Sequence, residues 1–147
     1  MFCRSCVLMF LVGVLGAQNA QDDAVKKDLK AFEGTWTLAA LEVNGKDVPI
    51  DKLMGTTVVI KGDLYTVKVK DKSFPVTIKL NPSKDPKEID MIPTEGDKKD
   101  QVHKGIYKLE KDTFKICRGL NPDQERPNQF GTWPDTNVFL ATWKRAE

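Results

Sequence analysis

The side chains able to do chemistry in this 147-residue chain are few, and the search for a reactive group begins with its one histidine, His103, and its three cysteines, Cys3, Cys6 and Cys117. A structural zinc site wants four Cys or His ligands, and a catalytic one wants three plus an open position. His103 and Cys117 cannot build either without recruiting carboxylates. The acidic run at Glu95, Asp97 and Asp100 lacks the spacing of a calcium loop and carries Lys98 and Lys99 inside it, so it reads as a solvated turn. A Cys–His nucleophile pair needs the two side chains within hydrogen-bond reach. Cys117, however, falls on the Thr113/Lys115 face of its segment, opposite Phe114 and Ile116. Beyond the N-terminal leader the serines are Ser73 and Ser83, both at turns, and Asp90 and Glu110 are expected to face outward. The glycines are scattered at turns and form no phosphate-cradling loop. This inventory implies no metal, no cofactor and no enzymatic activity.

Binding chemistry has more to work with. His103 shares strand parity with Tyr107, and Arg118 shares it with Ile116, so both polar groups fall on the inward face near a rim. They read either as exposed strand ends or as a polar clamp for a ligand head group, since a few placed polar groups give an apolar pocket its specificity. The stretch Gly119–Thr136 adds Arg126, Gln129, Phe130 and Trp133. Aromatics beside Arg are typical of protein interfaces. The same side chains could instead fold down as a lid over the site, which is the preferred expectation.

The elements that must position these residues follow from periodicity. Val25, Leu29 and Phe32 fall at i, i+4 and i+7, one face of a short helix over Asp22–Phe32, with Lys26, Lys27, Asp28 and Lys30 elsewhere. From Gly34 onward the period becomes two. Tyr65, Val67 and Val69 alternate with Thr66, Lys68 and Lys70, and Phe74, Val76, Ile78 and Leu80 alternate with polar neighbours or Pro75. Turn signals such as Asn44-Gly45, Gly62-Asp63 and Asn81-Pro82 separate the runs. Eight strands are predicted, at 34–43, 55–61, 63–70, 73–80, 87–93, 102–110, 112–118 and 137–145, with a helical turn near Asp51–Met54. Sequential hairpins favour an all-β, eight-stranded, up-and-down antiparallel barrel, whose closure removes exposed edges. The inward set, including Tyr65, Phe74, Ile89, Tyr107, Phe114 and Ile116, either fills the interior or lines a small apolar cavity. Short strands and bulky residues favour a mostly filled one.

The first twenty residues are set aside from the fold. Arg4 precedes an apolar run from Val7 to Ala17, and a polar segment begins at Gln18-Asn19, the order of a secretory signal peptide. The run is too short for a span, which needs about 20 residues. Residues 1–20 are therefore expected to be a signal peptide, residues 21–147 the exported domain, and a permanent membrane span is not expected. Losing Arg4 leaves 22 of the 23 basic residues near balance with 21 acidic ones, without the clustered charge of a nucleic-acid binder. Cys117 remains as a lone thiol, so no internal disulfide is expected and stability must come from a core.

Two features resemble the calycin superfamily of lipocalins and fatty-acid-binding proteins: Gly34-Thr35-Trp36 opening the first strand after a helix, and Trp143-Lys144-Arg145 ending the last. That resemblance implies structural closure by Gly34, Trp36 and Arg145, with the cation held over the indole. The chain is also similar to a family of exported lipocalin-like domains of unknown function, expanded in planctomycete bacteria. That likeness rests on Gly34-Thr35-Trp36, Val43-Asn44-Gly45-Lys46, Ile60-Lys61-Gly62-Asp63, Thr94-Glu95-Gly96, Gly105-Ile106-Tyr107 and Glu125-Arg126-Pro127, among others. It supports the fold and lends no activity. The resulting expectation is an exported, periplasmic or extracellular binding module holding an apolar or amphipathic molecule at the barrel's open end. Its candidate ligand contacts are Tyr65, Phe74, His103, Tyr107, Arg118, Arg126 and Trp133. The alternative is a filled barrel that meets a protein partner, or serves the cell envelope, through its surface and the 119–136 loop.

Overall fold

The computed structural model of the protein describes residues 15–147. Arg4 and most of the apolar run of the expected signal peptide lie outside the described residues. The elements are α1 (Leu15–Phe32), β1 (Gly34–Val43), β2 (Lys46–Asp47), α2 (Ile50–Leu53), β3 (Thr56–Lys61), β4 (Leu64–Val69), β5 (Lys72–Asn81), β6 (Lys87–Pro93), β7 (His103–Leu109), β8 (Thr113–Gly119) and β9 (Val138–Arg145). Each strand from β3 to β9 pairs antiparallel with the next, β3 also pairs with β1, and β1 pairs with β9. The chain is thus a closed, eight-stranded, up-and-down antiparallel barrel with an N-terminal helix. The two-residue β2, which folds back on the end of β1 through the Asn44-Gly45 turn, is an appendage to it.

One irregularity decides which residues of β1 face inward. The register with β9 slips between Leu38 and Ala40, a β-bulge that adds one residue to β1. Trp36 and Leu38 point inward before it, and Leu41 and Val43 line the interior after it. A strict period of two would have sent one of these pairs to solvent.

The barrel is packed at one end by aromatics. Phe114 is the hub, with ring centroids 5.0 Å from Phe32, 4.8 Å from Trp36 and 6.0 Å from Trp143. Phe32 is the last residue of α1, so the helix seats its end in this cluster, while Val25 and Leu29 pack against the same core. The helix is longer than expected, and Asp28 is not on its wet face. It is buried, accepting a 2.7 Å hydrogen bond from the Tyr107 hydroxyl and a 2.9 Å one from Lys87 Nζ. Trp36 Nε1 donates to the Phe32 carbonyl at 2.8 Å, and the Arg145 guanidinium stands 4.1 Å from the Trp36 ring centroid. Arg145 also donates to the carbonyls of Glu33 and Ala31. The strap between the first helix and the last strand therefore closes this end with cation–π and backbone contacts together. No helix among the described residues is long and apolar enough to cross a membrane.

Candidate functional site

Above the aromatic floor the barrel is open. A cavity of about 900 Å³ runs from Tyr65, Ile116 and Trp143 up to a mouth formed by Phe74, Pro75 and the exposed turn Glu95–Lys98. The expectation of a mostly filled interior is corrected: the packed half ends at Trp143 and Tyr65. The reason lies in residue size and position. The bulky inward residues Trp36, Tyr107 and Phe114 crowd the closed end, whereas the upper wall is built from Val67, Val76, Ala141 and Thr56. Phe74, expected to fill the lumen, is at the rim and 50% exposed.

Three of the seven candidate ligand contacts line this cavity: Tyr65, Phe74 and Arg118. Tyr107 does not, because its hydroxyl is committed to Asp28 and its ring lies 5.4 Å from that of Phe32 at the packed end. His103 is on the inward face of its strand, opposite Met91, but is buried beside Arg118 and does not line the cavity, with Nδ1 3.1 Å from Arg118 Nη1. Since an arginine N–H can only donate, Nδ1 accepts, and the histidine is the neutral tautomer protonated on Nε2. Burial, then Arg118 and Lys98, lower its pKa, against a smaller opposing hydrogen bond to Gly119.

Apart from Leu120, which lines the cavity, the 119–136 segment does not fold over the mouth, and neither Phe130 nor Trp133 forms the expected lid. Arg126 lies on the barrel's outer wall, where Nη1 donates to the carbonyls of Ile89 and Gly105 at 3.1 and 2.8 Å. Its other nitrogens pair with Asp90 at 2.7 Å and Glu88 at 3.4 Å. Thr132 is bound to Glu42 and to the Gly45 amide, and Trp133 packs beside Gly131, leaving its side 48% exposed away from the cavity. This segment covers Cys117, which does point outward as its parity required. Its Sγ lies 3.5 Å from the Gly131 carbonyl, and burial pushes the thiol pKa up. Cys117 and His103 consequently stand on opposite faces of the barrel wall.

Arg118 is the polar centre of the lumen. It sits opposite Gly105 on β7, where a Cβ would come 2.7 Å from the Arg118 Cβ, so only glycine lets the arginine stand there. Nη1 donates to the Gly119 carbonyl at 3.0 Å, and the guanidinium lies 4.5 Å from the Phe139 ring centroid. Burial pushes its pKa down to about 10, with Tyr65 opposing, so it carries its charge at neutral pH. Among the described residues no carboxylate forms an ion pair with it. Tyr65 is fully enclosed, and burial raises its pKa, which keeps the phenol protonated.

Residues that the sequence reading did not single out for the cavity include Leu38, Leu41, Leu120, Phe139 and Ala141. Phe139, Ala141 and Trp143 carried a usable signal, because they alternate with Leu140, Thr142 and Lys144 on the last strand. Comparison with protein-family models, with curated proteins and with solved structures returns no match.

Proposed function

We propose that this barrel is an exported, non-enzymatic binding module that holds an apolar or amphipathic small molecule in its open half. In this reading residues 1–20 are a secretory signal peptide and the remainder is a lipocalin-like domain, akin to the exported family that its turn and strand motifs resemble. The observation that carries the proposal is the cavity of about 900 Å³, walled mainly by aliphatic and aromatic side chains and open at one end. That size and lining are those of small-molecule sites, whose volumes run from about 300 to 1,000 Å³. A partner-binding role through the 119–136 stretch has less to support it, because Arg126, Thr132 and Gln124 use their polar groups to hold that segment on the wall.

The test is native mass spectrometry of protein exported by its own leader and purified gently, followed by titration with an environment-sensitive apolar fluorophore. The proposal expects an adduct lost on denaturation, or saturable probe uptake by the stripped protein. A bare mass together with no uptake of any apolar probe would overturn it.

A further inference from the structure

Resting on that reading of the lumen, we infer that His103 and Arg118 form a proton-sensitive latch, whose release lowers the barrel's affinity for an uncharged apolar ligand. The geometry is a buried histidine with one ring nitrogen committed to a cation. His103 opens β7 on its inward face, opposite Met91, and is buried. Its Nδ1 accepts from Arg118 Nη1 at 3.1 Å, and Arg118 lines the cavity. That contact requires a neutral ring, because a protonated imidazole is a donor at both nitrogens and has no lone pair to offer. A single proton therefore turns an accepted hydrogen bond into two like charges in contact.

The surroundings offer the new charge little relief. β8 contributes Arg118 itself and the turn at the mouth contributes Lys98, and both disfavour the charged ring. The hydrogen bond to Gly119 favours it, and is the smallest of the influences on the ring. From β6 the facing residue is Met91, while its neighbour Asp90 is paired to Arg126 on the outer wall. Within the lumen stands Tyr65, whose phenol stays protonated. Glu95 and Asp97 are exposed at the mouth, and among the described residues neither is paired with His103 or Arg118.

The latch matters because of what it holds. With the ring neutral, Nη1 is fixed by His103 and by the Gly119 carbonyl at 3.0 Å, and the guanidinium lies 4.5 Å from the Phe139 ring centroid. Gly105 packs against the Arg118 Cβ from β7, so a repelled guanidinium finds its room in the cavity, toward Glu95 and Asp97. There it brings its water along, and an apolar ligand must fill that space dry. Ligand and proton are therefore opposed, and by reciprocity a bound ligand makes the ring harder to protonate.

The experiment titrates Nile red, an uncharged apolar fluorophore, into the full exported chain at about pH 7.5 and about pH 5, which bracket the ordinary histidine value. Circular dichroism checks the fold at each pH. The dissociation constant is expected to rise reversibly by about fivefold or more at the lower pH, the low end of the range for coupled sites. His103→Gln, which keeps an acceptor for Arg118 and takes up no proton, should bind equally at both. Any slope owed to Glu95 or Asp97 survives in both proteins, so the difference between them belongs to His103. The second measurement needs no substitution: the ring protons of the sole histidine, followed by NMR, should titrate at lower pH with Nile red bound than without. Equal wild-type affinity at the two pH values would overturn the latch and leave the binding module standing. So would a loss of equal size in His103→Gln, a histidine midpoint that ignores the probe, or unfolding before the ring titrates. Failure of Nile red to bind at the higher pH would overturn the latch and count against the proposed function as well.

Discussion

His103 and Tyr107 share a strand and a face, and both were candidates for ligand contact, yet each is spent on another residue. Tyr107 and Asp28 satisfy one another at 2.7 Å in a buried setting. Removing the phenol oxygen leaves a buried carboxylate with Lys87 as its remaining partner, so Tyr107→Phe is expected to lower unfolding stability by about 1–3 kcal/mol. Chemical denaturation would measure this, and it should leave probe binding unchanged because Tyr107 does not reach the cavity. His103 is the sole histidine, which makes its titration readable in bulk stability. Burial and the adjoining cations Arg118 and Lys98 favour its neutral form in the folded protein. Its folded pKa thus lies below the unfolded value of about 6.5. The stability it contributes is complete above that unfolded value and is lost as pH falls toward the folded one. The wild-type protein should therefore lose stability as pH falls below about 6.5. In His103→Gln, which keeps an acceptor for Arg118, that part of the slope should disappear. A slope identical in the two proteins would refute the assignment.

At the level of elements, the alternation of apolar and polar residues made β3 to β9 legible, because each of these strands has one face inside the barrel and an outer face that is largely in water. Two things were hidden. The bulge in β1 depends on how β1 is paired to β9, and no local pattern reports pairing between the two ends of a chain. The course of the 119–136 segment depends on the bed it lies on. Ile106 and Cys117 are outward-facing, paired across β7 and β8 and fully buried, with Leu140 beside Cys117 on β9. Adjacent apolar residues on an otherwise lysine-bearing outer face were the available signal. They imply that something covers that wall. Arg126 is the pin of this cover, bridging the outer edges of β6 and β7. Arg126→Ala should let the segment lift and expose Cys117. A thiol reagent should then label Cys117 in the native protein at least about tenfold faster than in wild type, if opening costs fall by 1.4 kcal/mol or more. Unchanged labelling, with the fold intact by circular dichroism, would mean that the cover is held elsewhere.

For the whole molecule, the division into a packed half and an open half sets stability against binding. The closed end concentrates the aromatics and the helix terminus, and truncation there should be severe; Phe114 alone touches Phe32, Trp36, Tyr65 and Trp143. The open half runs the other way. Val67 and Ala141 line the cavity, and space beside them is not filled by other side chains. A chain selected for stability alone would enlarge these residues, since filling a cavity commonly adds about 0.5–2 kcal/mol. Val67→Phe and Ala141→Leu are therefore expected to keep or raise the unfolding midpoint while reducing uptake of an apolar probe at least about tenfold. The comparison separates two meanings of the empty space. If the larger side chains are accommodated, stability rises and binding falls, the cavity is a site maintained at the expense of packing. Variants that bind the probe as well as wild type would place the probe outside the lumen, and the exposed apolar residues Phe74, at the mouth, and Val69 would become the surface to substitute next.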